Sequence, residues 1–203
     1  IFSFCGNKVL TTGEGGAVIT NSKKEYEKIK LIRSHGRLDK TNFFNNPSAS
    51  DYLDLGYNWR MSSMTAALGI SQLSKLDKII DLRKNNAKFL SSKLSKFSSI
   101  RVPAPPIGYD HIYQMYTIRL SNQSLRDNLH DFLTQKKIFS KVYFNPIHLT
   151  EFYKKKFNLK ENSLPQTETI SSQVLTLPLY PNMENEEKNY IVESISEFFE
   201  KRE

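Results

Sequence analysis

A lysine and a serine near the start of the chain are the residues best suited to chemistry. Ser3 lies five positions before Lys8, and a glycine-rich turn, Gly13-Glu14-Gly15-Gly16, begins five positions after it. A lysine amine becomes a nucleophile when burial or neighbouring cations lower its pKa, and the end of a strand beside a ligand pocket supplies such burial. Glycines allow positive φ and a close approach of the backbone to a ligand. The same residues also suit a β-hairpin that carries an exposed lysine.

The elements that position these residues follow from the pattern of side chains. Phe2 and Phe4 alternate with small residues, and residues 17–20 are rich in side chains that favour β-strands. Residues 1–21 are therefore predicted to form a strand, a turn and a second strand. This arrangement places Lys8 in the connection between two strands.

Helices and one long loop are predicted next. The pair Asn21-Ser22 suits the N-cap of a helix over about 23–34, which Gly36 ends. Residues 37–57 are polar and predict a long loop, which in a compact domain is more often functional or disordered than idle. From Ser62, apolar residues recur at helical spacings and predict one long helix to about residue 97, with a bend near residues 85–86.

The remainder predicts an α+β unit without internal repeats. Its predicted strands are 112–120, 139–144 and 174–179, and its predicted helices are 122–137, 149–157, 163–173 and 184–201.

Composition limits the class of protein. The chain has 203 residues and a net charge of +8, but its lysines are scattered, which favours a charged surface over a nucleic-acid interface. It has one cysteine, Cys5, which excludes an internal disulfide and a multi-cysteine zinc module. No apolar run approaches the length of a membrane span. We therefore expect a cytoplasmic protein that binds neither metal, nucleic acid nor membrane. A basic, non-catalytic binding domain remains an alternative.

Five segments in order resemble a known enzyme family. The first segment, at residues 3–16, is Ser-Phe-x-x-x-Lys followed by Thr-Thr-Gly-Glu-Gly-Gly. The second is Leu-Ile-Arg-Ser-His-Gly-Arg at 31–37, and the third is Leu-Gly-Tyr-Asn-Trp-Arg-Met at 55–61 with the helix that follows it. The last two are Tyr-Phe-Asn-Pro-Ile-His-Leu at 143–149 and Leu-Pro-Leu-Tyr-Pro at 177–181. Together they resemble the DegT/DnrJ/EryC1/StrS family of nucleotide-sugar aminotransferases, which depend on pyridoxal 5'-phosphate. The perosamine-forming subgroup looks most similar.

The resemblance implies a role for five residues. Lys8 matches the lysine that bonds to the cofactor and later moves a proton, and Ser3 matches the hydroxyl that binds the cofactor phosphate. Asn58 matches an asparagine that reaches the phosphate in the other subunit's site, which implies a homodimer with composite active sites. Arg60 is then expected close to the same junction, where it could contact a phosphate or diphosphate of the substrate, and His148 matches a histidine of the substrate side. For Arg60 an ion pair at the subunit interface, and for His148 a surface or capping role, are the alternatives.

The resemblance also implies the fold and the extent of the chain. It implies an α/β, fold-type I enzyme, with residues 1–97 as the C-terminal part of the large cofactor-binding domain and residues 98–203 as a smaller α+β domain. The cofactor-binding residues that the family carries upstream of the lysine are not in this sequence. We therefore expect a fragment of a longer enzyme, or a separate chain that supplies the rest.

The function implied is transfer of an amino group from an amino acid, expected to be glutamate, to a nucleotide-linked keto-deoxysugar. The family also contains sugar dehydratases, in which a histidine replaces the lysine. Because position 8 is a lysine, the dehydratase is the weaker alternative.

Overall fold

The computed structural model of the chain describes residues 1–37 and 52–202. Most of the loop predicted at 37–57 therefore lies outside the described residues. The chain divides into two compact units, residues 1–76 and residues 77–203. The domain boundary predicted at 97/98 concerns the whole protein and stays a prediction.

The first unit contains a small hairpin and two helices. Strand β1 (Phe2–Ser3) pairs antiparallel with β2 (Gly16–Ala17), so Ser3 faces Gly16. Helix α1 spans Lys23–Arg33 and α2 spans Ser63–Leu73. The predicted N-cap of α1 is confirmed, since the Ser22 hydroxyl accepts a hydrogen bond from the backbone N–H of Glu25. The predicted strand over 17–20 is limited to its first residue.

The long helix predicted over residues 62–97 is two helices. Helix α2 ends at Leu73 and α3 (Leu76–Leu94) begins after Ser74 and Lys75. Ser74 Oγ donates to the carbonyl of Ser71, and Lys75 N–H donates to the carbonyl of Gln72, which tightens the last turn and ends the helix. Helix α3 continues through residues 85–86, and the bend predicted there stays a prediction.

Helix α3 is held by its polar side chains as well as by its apolar face. Ala87, Leu90 and Leu94 are buried in the hydrophobic core of the second unit. The buried side chain of Asn86 donates to the backbone carbonyls of Tyr180 and Pro181 at 2.8 and 3.1 Å. The Leu-Pro-Leu-Tyr-Pro segment is therefore tied to α3 through its backbone.

The second unit is a three-stranded antiparallel sheet covered by helices. The strands are β3 (Ile100–Arg101), β4 (Tyr116–Leu120) and β5 (Val174–Leu177), in the order β3-β4-β5. The helices are α4 (Gln123–Gln135), α5 (Glu151–Phe157), α6 (Pro165–Gln173) and α7 (Asn185–Glu200), with a 3-10 turn at Ile147–Leu149. Alternate residues of β4 are buried, which is the period of a strand with one face in the core.

Three strands are shorter than their patterns predict, among them β5, which was predicted over 174–179 and ends at Leu177. The strand predicted over 112–120 begins at Tyr116. Before it, the carbonyls of Tyr113 and Gln114 accept hydrogen bonds from the Arg83 guanidinium, at 2.9 and 2.6 Å, in place of bonds within the sheet. In the strand predicted over 139–144, only Lys141 pairs with the sheet, through a bridge to Thr176. None of the helices in the described residues is long and apolar enough to cross a membrane.

Candidate active site

Lys8 lies in a tight turn between the two strands of the hairpin. Its backbone N–H donates to the carbonyl of Cys5 at 2.9 Å, which closes the turn. Phe4 anchors both ends of this loop, since its N–H donates to the carbonyl of Gly15 and its carbonyl accepts from the N–H of Thr12, each at 2.9 Å. The backbone of the loop is thus fixed on both sides of Lys8.

The glycine-rich turn is required by the close pairing of the hairpin. A Cβ on Gly16 would lie 2.7 Å from the carbonyl oxygen of Phe2, and Gly15 has a φ of +133°, which favours glycine. Thr12 is buried, and its hydroxyl donates to the carbonyl of Glu14 at 2.6 Å. These contacts hold the turn close to the Ser3–Lys8 segment.

The Ser3 and Lys8 side chains suit a group that contains both an aldehyde and a phosphate. Lys8 is half-buried, and within residues 1–37 and 52–202 no carboxylate forms an ion pair with its amine. The exposed Ser3 hydroxyl accepts only a long contact, 3.4 Å, from the N–H of Cys5. An amine without an ion pair and an accessible hydroxyl on one loop are what covalent attachment and phosphate binding need.

A second segment of the first unit is positioned where residues 34–36 and 54–58 approach each other closely, a region called the crossing below. A Cβ on Gly36 would lie 1.7 Å from the carbonyl oxygen of Asp54, and a Cβ on Gly56 would lie 1.8 Å from the Gly36 nitrogen. Only glycine allows this approach. The crossing continues as a backbone bridge between Ser34 and Asn58, so the end of α1 sets the position of Asn58.

Asn58, Arg60 and His35 form a polar cluster on this crossing. Arg60 Nε donates to Asn58 Oδ1, and Arg60 Nη2 lies next to His35 Nε2, both at 3.3 Å. Tyr57 and Trp59 stack on each other with ring centroids 4.2 Å apart. Asn58 and Arg60 are exposed, which is compatible with contacts to a ligand or to another subunit.

Arg60 and the glycine-rich turn face one open cleft of about 580 Å³. Glu14, Gly15 and Gly16 line one part of it, and Trp59, Arg60 and Met61 line another. The structure therefore brings the predicted substrate-side arginine next to the turn that follows Lys8.

His148 lies in the second unit, within the 3-10 turn. It is 8% exposed, and its Nε2 lies 2.9 Å from Oε1 of Glu168. The pKa of the Glu168 carboxyl is lowered, chiefly by this hydrogen bond and then by the backbone N–H of Asn162. The substrate role of His148 stays a prediction.

Sequence reasoning missed two partners of the predicted site residues. No functional role was assigned from the sequence to His35, which the structure places against Arg60, or to Glu168, which it places against His148. The two pairs are separated by 25 and 20 positions, so no local spacing could reveal them. The His-Gly pair at 35–36 and the acidic residue in the first turn of α6 were the only signals available.

The fold is that of solved sugar aminotransferases. Helicobacter pylori PseC, described as an aminotransferase involved in the biosynthesis of pseudoaminic acid, matches with a TM-score of 0.89 at 28% identity. The match covers 98% of this chain and 53% of that chain. The predicted α/β fold class is confirmed.

The profile of the DegT/DnrJ/EryC1/StrS aminotransferase family matches residues 1–196, and the chain therefore belongs to this family. GDP-perosamine synthase of Escherichia coli O157:H7 is 30% identical over 98% of this chain and 51% of that protein. UDP-4-amino-4,6-dideoxy-N-acetyl-beta-L-altrosamine transaminase of Campylobacter jejuni is 32% identical over 99% of this chain and 52% of that protein. The chain thus spans about half the length of the curated relatives it matches.

Proposed function

We propose that the whole protein uses pyridoxal 5'-phosphate to transfer an amino group from an amino acid, expected to be glutamate, to a nucleotide-linked keto-deoxysugar. The observation that carries this proposal is the fixed backbone of the Lys8 loop, in which half-buried Lys8, with no ion pair to a carboxylate of residues 1–37 and 52–202, follows the exposed Ser3 hydroxyl at the end of β1. The family of the chain and the names of its relatives support the same reaction.

The roles of the residues follow from their chemistry. The cofactor, when bound, supplies an electron sink for the carbon that loses or gains a proton. The Lys8 amine would hold it covalently and then accept and return that proton, since an amine freed from the bond is a general base. The Ser3 hydroxyl, with backbone N–H groups of the loop, would hold the phosphate.

Asn58 and Arg60 are assigned to binding. Asn58 would complete the phosphate site of a neighbouring subunit in a two-fold dimer, which its exposed position allows. Arg60 would bind the diphosphate of the nucleotide sugar, because a guanidinium matches phosphate oxygens in two-pronged geometry. His148 would contact the substrate. We place the reaction in the cytoplasm.

Reductive labelling tests the role of Lys8. The complete enzyme, treated with borohydride in the presence of pyridoxal 5'-phosphate, should carry the label on the peptide that contains Lys8. Lys8→Ala should remove the label and the transamination activity and leave the fold intact. Lys30→Ala, which changes a half-buried lysine of the same unit, is the control and should keep both. A label on another lysine, or on none, would refute the assignment.

Subunit complementation tests the role of Asn58. Lys8→Ala and Asn58→Ala proteins, each shown to be impaired alone, should regain activity when mixed, because a mixed dimer has one intact site and one doubly damaged site. Subunit exchange is verified by mass spectrometry of differently tagged copies. Exchange without any recovery would contradict a role of Asn58 in the neighbouring site.

A further inference from the structure

The Glu168 carboxylate accepts three hydrogen bonds in the second unit. Its Oε1 accepts from His148 Nε2 at 2.9 Å and from the Leu164 N–H at 3.2 Å, and its Oε2 accepts from the Asn162 N–H at 2.9 Å. The His148 and Glu168 side chains are 8% and 17% exposed, so water competes little for these bonds. The carboxylate thus joins the start of α6 to the 3-10 turn.

The hydrogen bonds of Glu168 determine where the proton of His148 lies. The backbone N–H groups donate to both carboxylate oxygens, which favours the ionised form, and an ionised carboxylate only accepts. The proton between Glu168 and His148 therefore belongs to Nε2. In the neutral ring Nδ1 is then a hydrogen-bond acceptor.

The Nδ1 edge of His148 is accessible. Among the described residues, Ser140 Oγ is the one buried side-chain nitrogen or oxygen without a hydrogen-bond partner. Within the same part of the chain, the ring of His148 makes one hydrogen bond, through Nε2. Nδ1 has no partner there and is not among the fully enclosed polar atoms, so it is open to a donor from a ligand.

We propose that Glu168 is a positioning residue that fixes His148 in the Nε2–H tautomer and so presents Nδ1 to accept a hydrogen bond from a hydroxyl of the nucleotide sugar. This inference rests on the proposed function, because it gives His148 its part in substrate binding. A carboxylate that orients a histidine from behind is a general way to fix its tautomer and its direction. The alternative is a purely structural role, in which Glu168 serves only to bind the backbone N–H groups of the turn at residues 162–164.

The tautomer is measured first, because it does not depend on activity. In the complete enzyme labelled with nitrogen-15 at histidine, at a pH where the ring is neutral, the His148 signals should show the proton on Nε2. These signals are assigned by their loss in His148→Gln. Glu168→Gln should give a mixture of tautomers, since an amide both donates and accepts. A proton on Nδ1 in the unmodified enzyme would overturn the proposal, even if every Glu168 variant failed to fold.

Kinetics then separate positioning from a structural role. Glu168→Gln should raise KM for the nucleotide sugar about tenfold. His148→Gln should have the same effect, and the double variant should be no worse than either single one. Glu161→Gln, on the same turn and 76% exposed, is the matched control and should leave KM unchanged.

The outcomes distinguish this inference from the proposed function. Additive effects of the two variants, or an unchanged KM in Glu168→Gln, would overturn the positioning role while leaving transamination in place. An unmodified enzyme that aminates no nucleotide sugar, with the Nε2–H tautomer still present, would refute the proposed function and with it the substrate contact assigned to His148.

Discussion

Arg60 Nη2 lies 3.3 Å from Nε2 of His35, although 25 positions separate the two residues. A guanidinium is always protonated and can only donate, so His35 Nε2 must accept, which places the proton of the neutral His35 ring on Nδ1. Arg60 also donates to Asn58, and its planar head is therefore held at two points. This contact gives Arg60 a defined direction on an exposed surface.

We expect His35 to contribute to substrate binding through Arg60. In the complete enzyme, His35→Ala should raise KM for the nucleotide sugar less than Arg60→Ala does, because it frees the guanidinium without removing its charge. The double variant should resemble Arg60→Ala, with a coupling free energy of at least about 0.5 kcal/mol. His130→Ala, which changes a half-buried histidine of the second unit, is the control. Strictly additive changes in KM would show that the two side chains act independently.

Replacement of Gly36 or Gly56 by any residue with a side chain should destabilise the crossing. In Gly36→Ala or Gly56→Ala the new Cβ would overlap backbone atoms at 1.7 or 1.8 Å, and relief of this overlap should cost about 3 kcal/mol or more. Because the crossing carries Asn58, these variants should also lose activity.

Gly108→Ala is the matched control for the crossing. Gly108 has a φ of +86° but no atom within 4 Å of a new Cβ, so only the backbone strain of about 1–2 kcal/mol is expected. Urea unfolding of the three variants measures the difference. Equal losses of stability in all three would mean that the steric overlap is relieved without cost.

Much of the fold was predictable because its signals are local. The cap at Asn21-Ser22, the strand that contains β4 and the helix near 122–137 depend on residues within one turn or one strand. Strand β3 was missed because it has two residues and exists only through its pairing with β4. The break after Leu73 was missed because a serine hydroxyl and one tightened bond end the helix, without glycine or proline.

The candidate site was predictable only in part. Lys8 and Ser3 lie in one short segment whose sequence resembles the family, so their proximity could be read from the chain. The contacts of Arg60 with His35 and of His148 with Glu168 arise from tertiary folding. A single sequence contains no spacing that reveals such pairs.

The stability of the second unit should decrease at acid pH because Glu197 becomes protonated. Its carboxylate accepts from Lys136 at 2.6 Å and from Lys201 at 2.7 Å, and these bonds, the Lys136 bond first, lower its pKa below the ordinary 4.5. A lowered carboxyl pKa stabilises the fold above the unfolded value of 4.5, and this contribution is lost as the pH falls through the folded value. The pKa of Lys136 is raised above 10.5, so its contribution disappears only at strongly alkaline pH.

Glu197→Gln should therefore be less stable than the unmodified protein at neutral pH, and the difference should vanish as the pH falls well below 4.5. Urea unfolding at a series of pH values measures this. Glu193→Gln, which changes an exposed glutamate in the middle of the same helix, is the control. A loss of stability in Glu197→Gln that stays constant down to acid pH would show that packing, and not charge, is responsible.

The two units should differ in their ability to fold alone. Every hydrophobic residue that is buried among the described residues lies between Ala87 and Phe198, in the second unit. Helices α1 and α2 bury no residue, and the first unit exposes large apolar side chains, including Ile1 at 96%, Leu55 at 74% and Met64 at 84%. Exposed apolar surface of this extent in one region marks an interface or an aggregation hazard.

We therefore expect residues 77–203, expressed alone, to be monomeric and to unfold cooperatively in urea, because they retain the whole core. Residues 1–203 alone should aggregate or require a partner chain, should retain pyridoxal 5'-phosphate weakly, and should not catalyse transamination. Gel filtration, cofactor absorbance and activity measure these properties on both polypeptides. Replacement of exposed Met64 and Ile70 by glutamine in the longer polypeptide should reduce aggregation, since these side chains are 84% and 71% exposed and support no core. A 203-residue polypeptide that remains monodisperse, yellow and active would show that the apolar surface of the first unit needs no cover.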